Sequence, residues 1–350
     1  ENNTFVWKGI PFAQPPVGDL RWKAPLDAPV WEGTYEAIEF KSACFQGSSR
    51  IQGDTEDKWS GSEDCLYLNI WTPQLTQDQV TGSQDKLPVM MWIHGGGNTT
   101  GSAHVYDPSL LVSKHKVIVV TIQYRMGPLG WFRHPALETS SSTKSDISGN
   151  YGTLDTIKAL EWINKNIQSF GGDPRNVTVF GESAGGHNAA AIFASPLAEG
   201  LYHKVIVQSG IMSSSSIEAA ESYLPESGIA PSRSGLEVFN HILVANNSAV
   251  NLEEAEMELK NFKEKYDDKY GDNNKNIQEI ENDFESAVSS EWSLPSTTDF
   301  WPHTNVLGNH GNYCGCNLNR LTLTNIPDHE AIRISFDSAF NEPTVPDIFA

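Results

Sequence analysis

The run Val177-Thr-Val-Phe180-Gly181-Glu182-Ser183-Ala184-Gly185 sets the tightest limit on how this chain can fold. Its first four residues are β-branched or aromatic and predict a short buried strand. Gly186 to Ala194 is small and helix-compatible, so Gly-x-Ser-x-Gly falls at a sharp strand-to-helix turn. Such a turn lifts the Ser183 hydroxyl above the end of a sheet. Glycine on both sides of it removes Cβ atoms that would clash, and the first amides of the following helix aim at the same point. Acyl transfer needs a serine presented in this way.

The surrounding sequence supplies the sheet. Residues 87–210 alternate apolar runs with helical periodicity, as parallel α/β proteins do. Leu87 to Ile93, Val117 to Tyr124, Val177 to Phe180 and Val205 to Gln208 read as strands. Tyr151 to Ile167 places Leu154, Ile157, Ala159, Leu160, Trp162 and Ile163 on one apolar face, which predicts a helix covering that sheet. Gly171-Gly172-Asp173-Pro174 ends it as a breaker cluster. The Pro-rich region before Leu87 offers Trp7, Phe12, Trp22 and Trp31 as packing anchors. From Ser213 to Glu291 the chain turns polar and acidic, with amphipathic helical spacing over Leu252 to Tyr266.

A second glycine cluster follows the first strong strand, in Met91-Trp92-Ile93-His94-Gly95-Gly96-Gly97-Asn98. Backbone N–H groups that face a substrate oxygen need the close approach and unusual φ that glycine allows, so this loop is a candidate oxyanion hole. A phosphate cradle would need the Lys-Ser/Thr of a P-loop, which is missing here.

Composition removes other classes. The chain has 350 residues, 24 Lys+Arg against 44 Asp+Glu and a net charge of −20, so an acidic surface would repel phosphate backbones and nucleic acid is not an expected partner. No uncharged apolar stretch reaches the length of a membrane span. Cys44 and Cys65 enclose a polar loop whose length suits a disulfide worth roughly 3 kcal/mol, with two free thiols as the alternative. Cys314-Gly-Cys316 is too short and isolated for a zinc site. Asn-x-Ser/Thr triplets stand at Asn2, Asn98, Asn176 and Asn246, and those at Asn98 and Asn176 lie inside structural motifs where a glycan is not expected. The chain opens at Glu1 with no initiator Met or apolar leader, which reads as a processed chain or a fragment.

Phe170-Gly-Gly-Asp-Pro-Arg-Asn-Val-Thr-Val-Phe-Gly-Glu-Ser183-Ala-Gly resembles, without a gap, the nucleophile signature of the type-B carboxylesterase and cholinesterase family. Ser62-Glu63-Asp64-Cys65-Leu66-Tyr67-Leu68-Asn69 is similar to that family's second signature. Lys8-Gly-Ile-Pro-Phe-Ala, Leu20-Arg-Trp-Lys-Ala-Pro25, Tyr124-Arg-Met-Gly-Pro-Leu-Gly130, Gly149-Asn-Tyr-Gly152 and Val207-Gln-Ser-Gly210 extend the likeness over residues 5–210. The resemblance implies an α/β-hydrolase fold: a central, mostly parallel twisted sheet with helices on both faces, here with an incomplete C-terminal half. Residues 1–350 would form one such domain, with 213–305 a shortened polar, helical insert. It further implies a Cys44–Cys65 disulfide, an acyl-enzyme on Ser183, oxyanion donors at Gly96, Gly97 and Ala184, a small-molecule ester as substrate, a secreted or lumenal glycoprotein, and no cofactor or metal.

A serine of this kind needs a histidine base and a carboxylate to orient it. The histidines after Ser183 are His187, His203, His241, His303, His310 and His329. His187 is one helical turn beyond Ser183, and His203 lies in a segment that is structural in the family. Leu307-Gly-Asn-His310-Gly311 resembles the family's Gly-x-His-Gly turn and makes His310 the candidate, with His303 and His329 as alternatives. The segment between Ser183 and His310 is shorter than in the family. Glu237, in Ser234-Gly-Leu-Glu-Val-Phe239, is the candidate acid, and a plain surface-helix glutamate is the competing reading. Asn98, His187 and Asn312-Tyr313 depart from the family's residues around the acyl pocket and base. Trp59 invites comparison with a choline-binding tryptophan, but its spacing to Cys65 differs and packing is the expected role. A catalytically impaired binding or adhesion relative, or a truncated product, are the alternatives to an esterase.

Overall fold

The computed structural model of the chain describes residues 2–47, 59–82, 86–134, 137, 142–212, 214–222, 234–245, 321–323 and 334–336. Its strands and helices begin with β1 (Thr4–Pro11), β2 (Gln46–Gly47), β3 (Trp59–Ser60), β4 (Tyr67–Pro73), α1 (Gln77–Thr81) and β5 (Leu87–Ile93). They continue with α2 (Ser109–His115), β6 (Ile118–Ile122), α3 (Gly127–Gly130), α4 (Tyr151–Asn166), β7 (Gly172–Glu182), α5 (Ala184–Ala194) and β8 (Lys204–Gln208). Two further helices, α6 (Ile217–Glu221) and α7 (Gly235–Ala245), precede the short strands β9 (Leu321–Leu323) and β10 (Ile334–Phe336). The chain divides into two compact units, residues 1–308 and 309–350. In the second, β9 and β10 pair antiparallel.

In the first unit, six strands form one sheet in the order β1-β4-β6-β5-β7-β8. β1 and β4 run antiparallel to their neighbours, whereas β6, β5, β7 and β8 are parallel. Side chains alternate across a strand, and β5 shows what each face meets. Val89, Met91 and Ile93 join the large core cluster with Ile157, Leu160 and Ile163 of α4. Met90 packs instead in a cluster with Val112 of α2 and Trp71 of β4. Helices therefore cover both faces, as the resemblance implied. The four strands predicted from apolar runs and the helix over 151–167 are all present.

From β5 the chain crosses to β6 on one side, then returns through α4 to β7 on the other. The direction of winding thus reverses between β5 and β7. Loops leaving the carboxyl ends of two such strands diverge and open a crevice, which is where ligands bind in sheets of this type. Both motifs singled out in the sequence leave those two ends.

Two local expectations need correction. Gly171 ends the helical segment with φ +86°, yet the strand resumes at once, with Gly172 paired to Leu87. The supposed breaker cluster is thus largely strand, its register shift being taken up between Leu87 and Val89. Trp31 is 43% exposed and packs at the surface against Tyr35, while Phe12 and Trp22 are buried. Leu252 to Tyr266 lies outside the described residues. α6 and α7 are the described part of the polar region, and they hold to the body through Arg133–Glu221 at 2.8 Å and through Phe239, which packs with Trp22, Phe132 and Tyr151.

Candidate active site

Ser183 links β7 to α5 with φ +55° and ψ −122°, a conformation costly for any residue with a side chain. Close backbone contact enforces it. A Cβ on Gly181 would lie 2.4 Å from the Gly185 carbonyl oxygen, and one on Gly185 would lie 2.0 Å from that of Ile93. The Ser183 N–H donates to Gln208 O (2.9 Å), and the His187 N–H donates to Ser183 O (3.0 Å). The serine side chain forms no capping bond to the helix it opens, and the residue is partly exposed. Ala184 is the first residue of that helix, where amides have no partner within the helix.

The loop after β5 lies against this turn. A Cβ on Gly95 would sit 2.8 Å from Glu182 O and 3.2 Å from Ser183 Cβ, so the two loops touch through backbone. Gly96 (φ +113°) and Gly97 (φ +66°) turn the chain, and the Thr99 and Thr100 N–H groups both donate to Gly96 O. Side chains from elsewhere fix the rest. The Tyr124 hydroxyl donates to His94 O (2.7 Å), and His94 Nδ1–H donates to Gly95 O (2.9 Å). Burial pulls His94 down to about 4, so it is a neutral ring stacked on Tyr124. Asn188 Nδ2 of α5 donates to Asn98 Oδ1 (2.9 Å), and Asn98 takes φ +59°, which asparagine tolerates better than most residues. Gln46 binds both backbone groups of Gly101, accepting from its N–H (2.7 Å) and donating to its carbonyl (2.9 Å).

Beneath the serine, burial raises the Glu182 carboxyl above the ordinary glutamate range. Burial and the Glu182 charge together raise the Tyr106 hydroxyl. Arg125 and Asp155 form a buried bidentate pair at 2.9 and 2.7 Å, and Asp155 also accepts from the Arg125 N–H. This pair joins the end of β6 to α4 and holds the segment that carries Tyr124.

Ser183 and Ala184 adjoin at the head of α5, and Gly96 and Gly97 follow directly on Gly95, the residue that meets Ser183. Glu237 lies in the first turn of α7, the helix that also carries His241, and its N–H donates to Ser234 Oγ. His310, His303 and His329 lie outside the described residues, as do Cys314 and Cys316. His187 is held to the backbone of Ile211, and His203 Nδ1 accepts from the Val177 N–H, a structural role. Cys44 and Cys65 are bonded, and both are buried. Trp59 stacks on Phe45 at 5.4 Å. Among the described residues no cluster of His, Cys, Asp or Glu could hold a metal ion. Sequence reasoning missed Gln46, Tyr124 and Asn188. Their partners lie 55, 30 and 90 residues away, so no short motif could mark them. Glu182 sits inside the nucleophile motif, and its neighbourhood to Ser183 was the available signal.

Residues 1–230 match the carboxylesterase family. Para-nitrobenzyl esterase of Bacillus subtilis is 46% identical over 224 residues, covering 63% of this chain and 43% of that protein. A medium-chain fatty acyl-CoA hydrolase precursor of Anas platyrhynchos is 44% identical over 60% of this chain and 37% of its own length. A solved PNB esterase superposes with a TM-score of 0.56 at 39% identity, over 71% of this chain and 46% of the other. A thermophilic PNB esterase gives 0.56 at 33% identity, over 83% and 52%. The chain thus spans less than half the length of these curated relatives. On the matched residues, and on the α/β-hydrolase fold that carries them, the chain is a member of the carboxylesterase family.

Proposed function

We propose that this chain belongs to a serine hydrolase that cleaves carboxylic esters through an acyl-enzyme on Ser183. The observation that carries the reading is the strained Ser183 turn, pressed against Gly95 so that the oxyanion loop and the head of α5 border one crevice. Ser183 Oγ attacks the ester carbonyl carbon while its proton passes to His310. The carbonyl π electrons move to oxygen, where the N–H groups of Gly96, Gly97 and Ala184 receive the charge. Collapse breaks the bond to the alcohol, which takes the proton from His310. Water then repeats the sequence on the acyl group and frees Ser183. Glu237 is assigned as the carboxylate that orients His310. This scheme uses no cofactor.

The relatives' names, para-nitrobenzyl esterase and medium-chain fatty acyl-CoA hydrolase, favour small esters with short or medium acyl groups. The buried Cys44–Cys65 disulfide supports an oxidising, secretory location. Of the described sequons, Asn2 is exposed, whereas Asn98 is buried with its side chain bonded to Asn188 and cannot carry a glycan. Intact-mass labelling with a fluorophosphonate tests the reading. A stoichiometric adduct is expected on the native chain, none on Ser183→Ala, and a rate lower by at least about a thousandfold on His310→Ala. A folded chain that takes no label would replace this reading with that of a binding relative.

A further inference from the structure

Gln46 is 5% exposed, and every polar atom of its amide is engaged. Oε1 accepts from the Gly101 N–H at 2.7 Å, and Nε2 donates to Gly101 O and to Cys44 O, both at 2.9 Å. We propose that Gln46 is a positioning residue that ties the oxyanion loop to the Cys44–Cys65 disulfide.

Both ends of this tie are rigid. On one side, Gln46 stands two residues from Cys44, whose disulfide closes the segment to Cys65. The Phe45 N–H donates to Ser62 O, the Ser62 N–H donates to Ala43 O, and β2 pairs Gln46 with Ser60. The backbone carrying the amide is thus fixed from 43 to 47. On the other side, Gly101 takes φ +123°, and a Cβ there would lie 2.4 Å from Gly95 O and 2.5 Å from His94 Nδ1. Gly101 therefore rests directly on the start of the loop. Between these points the loop closes on itself at Gly96 O, which accepts from the N–H and hydroxyl groups of Thr99 and Thr100, and the Gly127 N–H holds Asn98 O from outside. A loop whose own closure converges on one carbonyl oxygen takes its orientation from the groups that grip it at Asn98 and at Gly101, and misplacing a donor by even an ångström is costly to catalysis.

The alternative role for Gln46 is to satisfy buried polar atoms with no bearing on the loop. Hydrogen exchange followed by mass spectrometry on the full chain separates the two, using Gln46→Met, which fills the space without the amide, and Gln46→Glu, which keeps the acceptor for Gly101. In Gln46→Met, amides of 94–102 are expected to exchange about tenfold faster or more, with the other described segments unchanged. Gln46→Glu should recover part of that protection. The fluorophosphonate rate constant at saturation should fall by about tenfold to a hundredfold in Gln46→Met, while the half-saturating concentration stays fixed. Cys44→Ser with Cys65→Ser should loosen the same segment.

Unchanged exchange at 94–102 in Gln46→Met would overturn the proposal. So would loss of protection spread evenly over the sheet. If Gln46→Met does not fold, Gln46→Glu against the native chain decides the same comparison. The kinetic arm rests on the ester-hydrolase reading, and the exchange arm does not. A native chain that refuses the probe while Gln46→Met opens 94–102 would reject the hydrolase reading and keep the tie. A native chain that labels at the same rate as Gln46→Met, with equal exchange, would do the reverse.

Discussion

The two loops that meet in the crevice are held in place by different physics. At the Ser183 turn, backbone presses on backbone: Gly181 against Gly185, Gly185 against Ile93, Gly186 against Gln208. The oxyanion loop has close backbone contacts too, Gly96 against Thr100 and Gly101 against Gly95, but it is gripped in addition by side chains from Gln46, Tyr124 and Asn188. Packed backbone resists any added atom and shifts as a unit or not at all. A loop held by side-chain hydrogen bonds loses about 1 kcal/mol per bond and can be adjusted one residue at a time. The Ser183 turn is thus fixed by backbone packing, whereas the loop after β5 combines such packing with side-chain bonds and is tunable where only those bonds hold it.

The strongest way to break this contrast is Gly185→Ala. In an isolated helix the change would stabilise by about 1 kcal/mol, because alanine is the better helix former. Here the new methyl would lie 2.0 Å from the Ile93 carbonyl oxygen at the end of β5 and 2.8 Å from that of His94 just beyond it, both main-chain atoms. Steric cost overwhelms propensity, and a loss of about 4 kcal/mol or more is expected. Urea denaturation followed by tryptophan fluorescence measures it. A neutral or stabilised variant would mean that α5 does not sit on β5 as described.

This difference in physics also explains which features the sequence made legible. The elbow is local: residues 177–194 contain the strand, the turn and the helix, and the steric demand appears directly as glycines at fixed offsets. β5, β6 and β8 were legible as apolar runs for the same reason. Gln46, by contrast, reads as an ordinary polar residue after a cysteine, and only the fold brings it to Gly101. Asn188 likewise looks like an interruption in a small-residue helix, yet it is buried and bonded to Asn98. Asn98 departs visibly from the family's residue, and the fold shows why: it supplies both a left-handed turn and a partner for Asn188. Trp31 shows the converse, since aromatic content alone does not tell a buried ring from one packed at the surface.

The pH dependence of stability sharpens the contrast from the oxyanion side. Burial holds His94 down to about 4 in the folded chain, while an unfolded histidine titrates near 6.5. Between these values the unfolded state binds the extra proton, so stability falls as pH drops through that window and is complete above it. The full difference corresponds to at most about 3 kcal/mol. Urea titrations at pH 7.5 and pH 5 should show native stability falling more steeply than that of His94→Gln. His104, also lowered by burial, remains in both chains and cancels. Equal slopes would show that His94 is not the neutral strut of this loop.

The smallest effect tests the comparison most finely, because it uses the same substitution as the largest. A Cβ on Gly97 would meet nothing closer than Thr99 Oγ1 at 3.5 Å, an ordinary contact, so Gly97→Ala has room. Its cost is that of an alanine at φ +66°, about 1 kcal/mol. Gly97→Asn should cost less still, since asparagine visits this region more readily. Urea denaturation of both variants beside Gly185→Ala gives three values that the two mechanisms rank in a definite order. Steric exclusion puts Gly185→Ala far above the others, and backbone strain puts Gly97→Ala just above Gly97→Asn. If Gly97→Ala were as damaging as Gly185→Ala, the loop would be as tightly packed at Gly97 as it is at Gly96 and Gly101, and the side-chain bonds that grip it would be secondary.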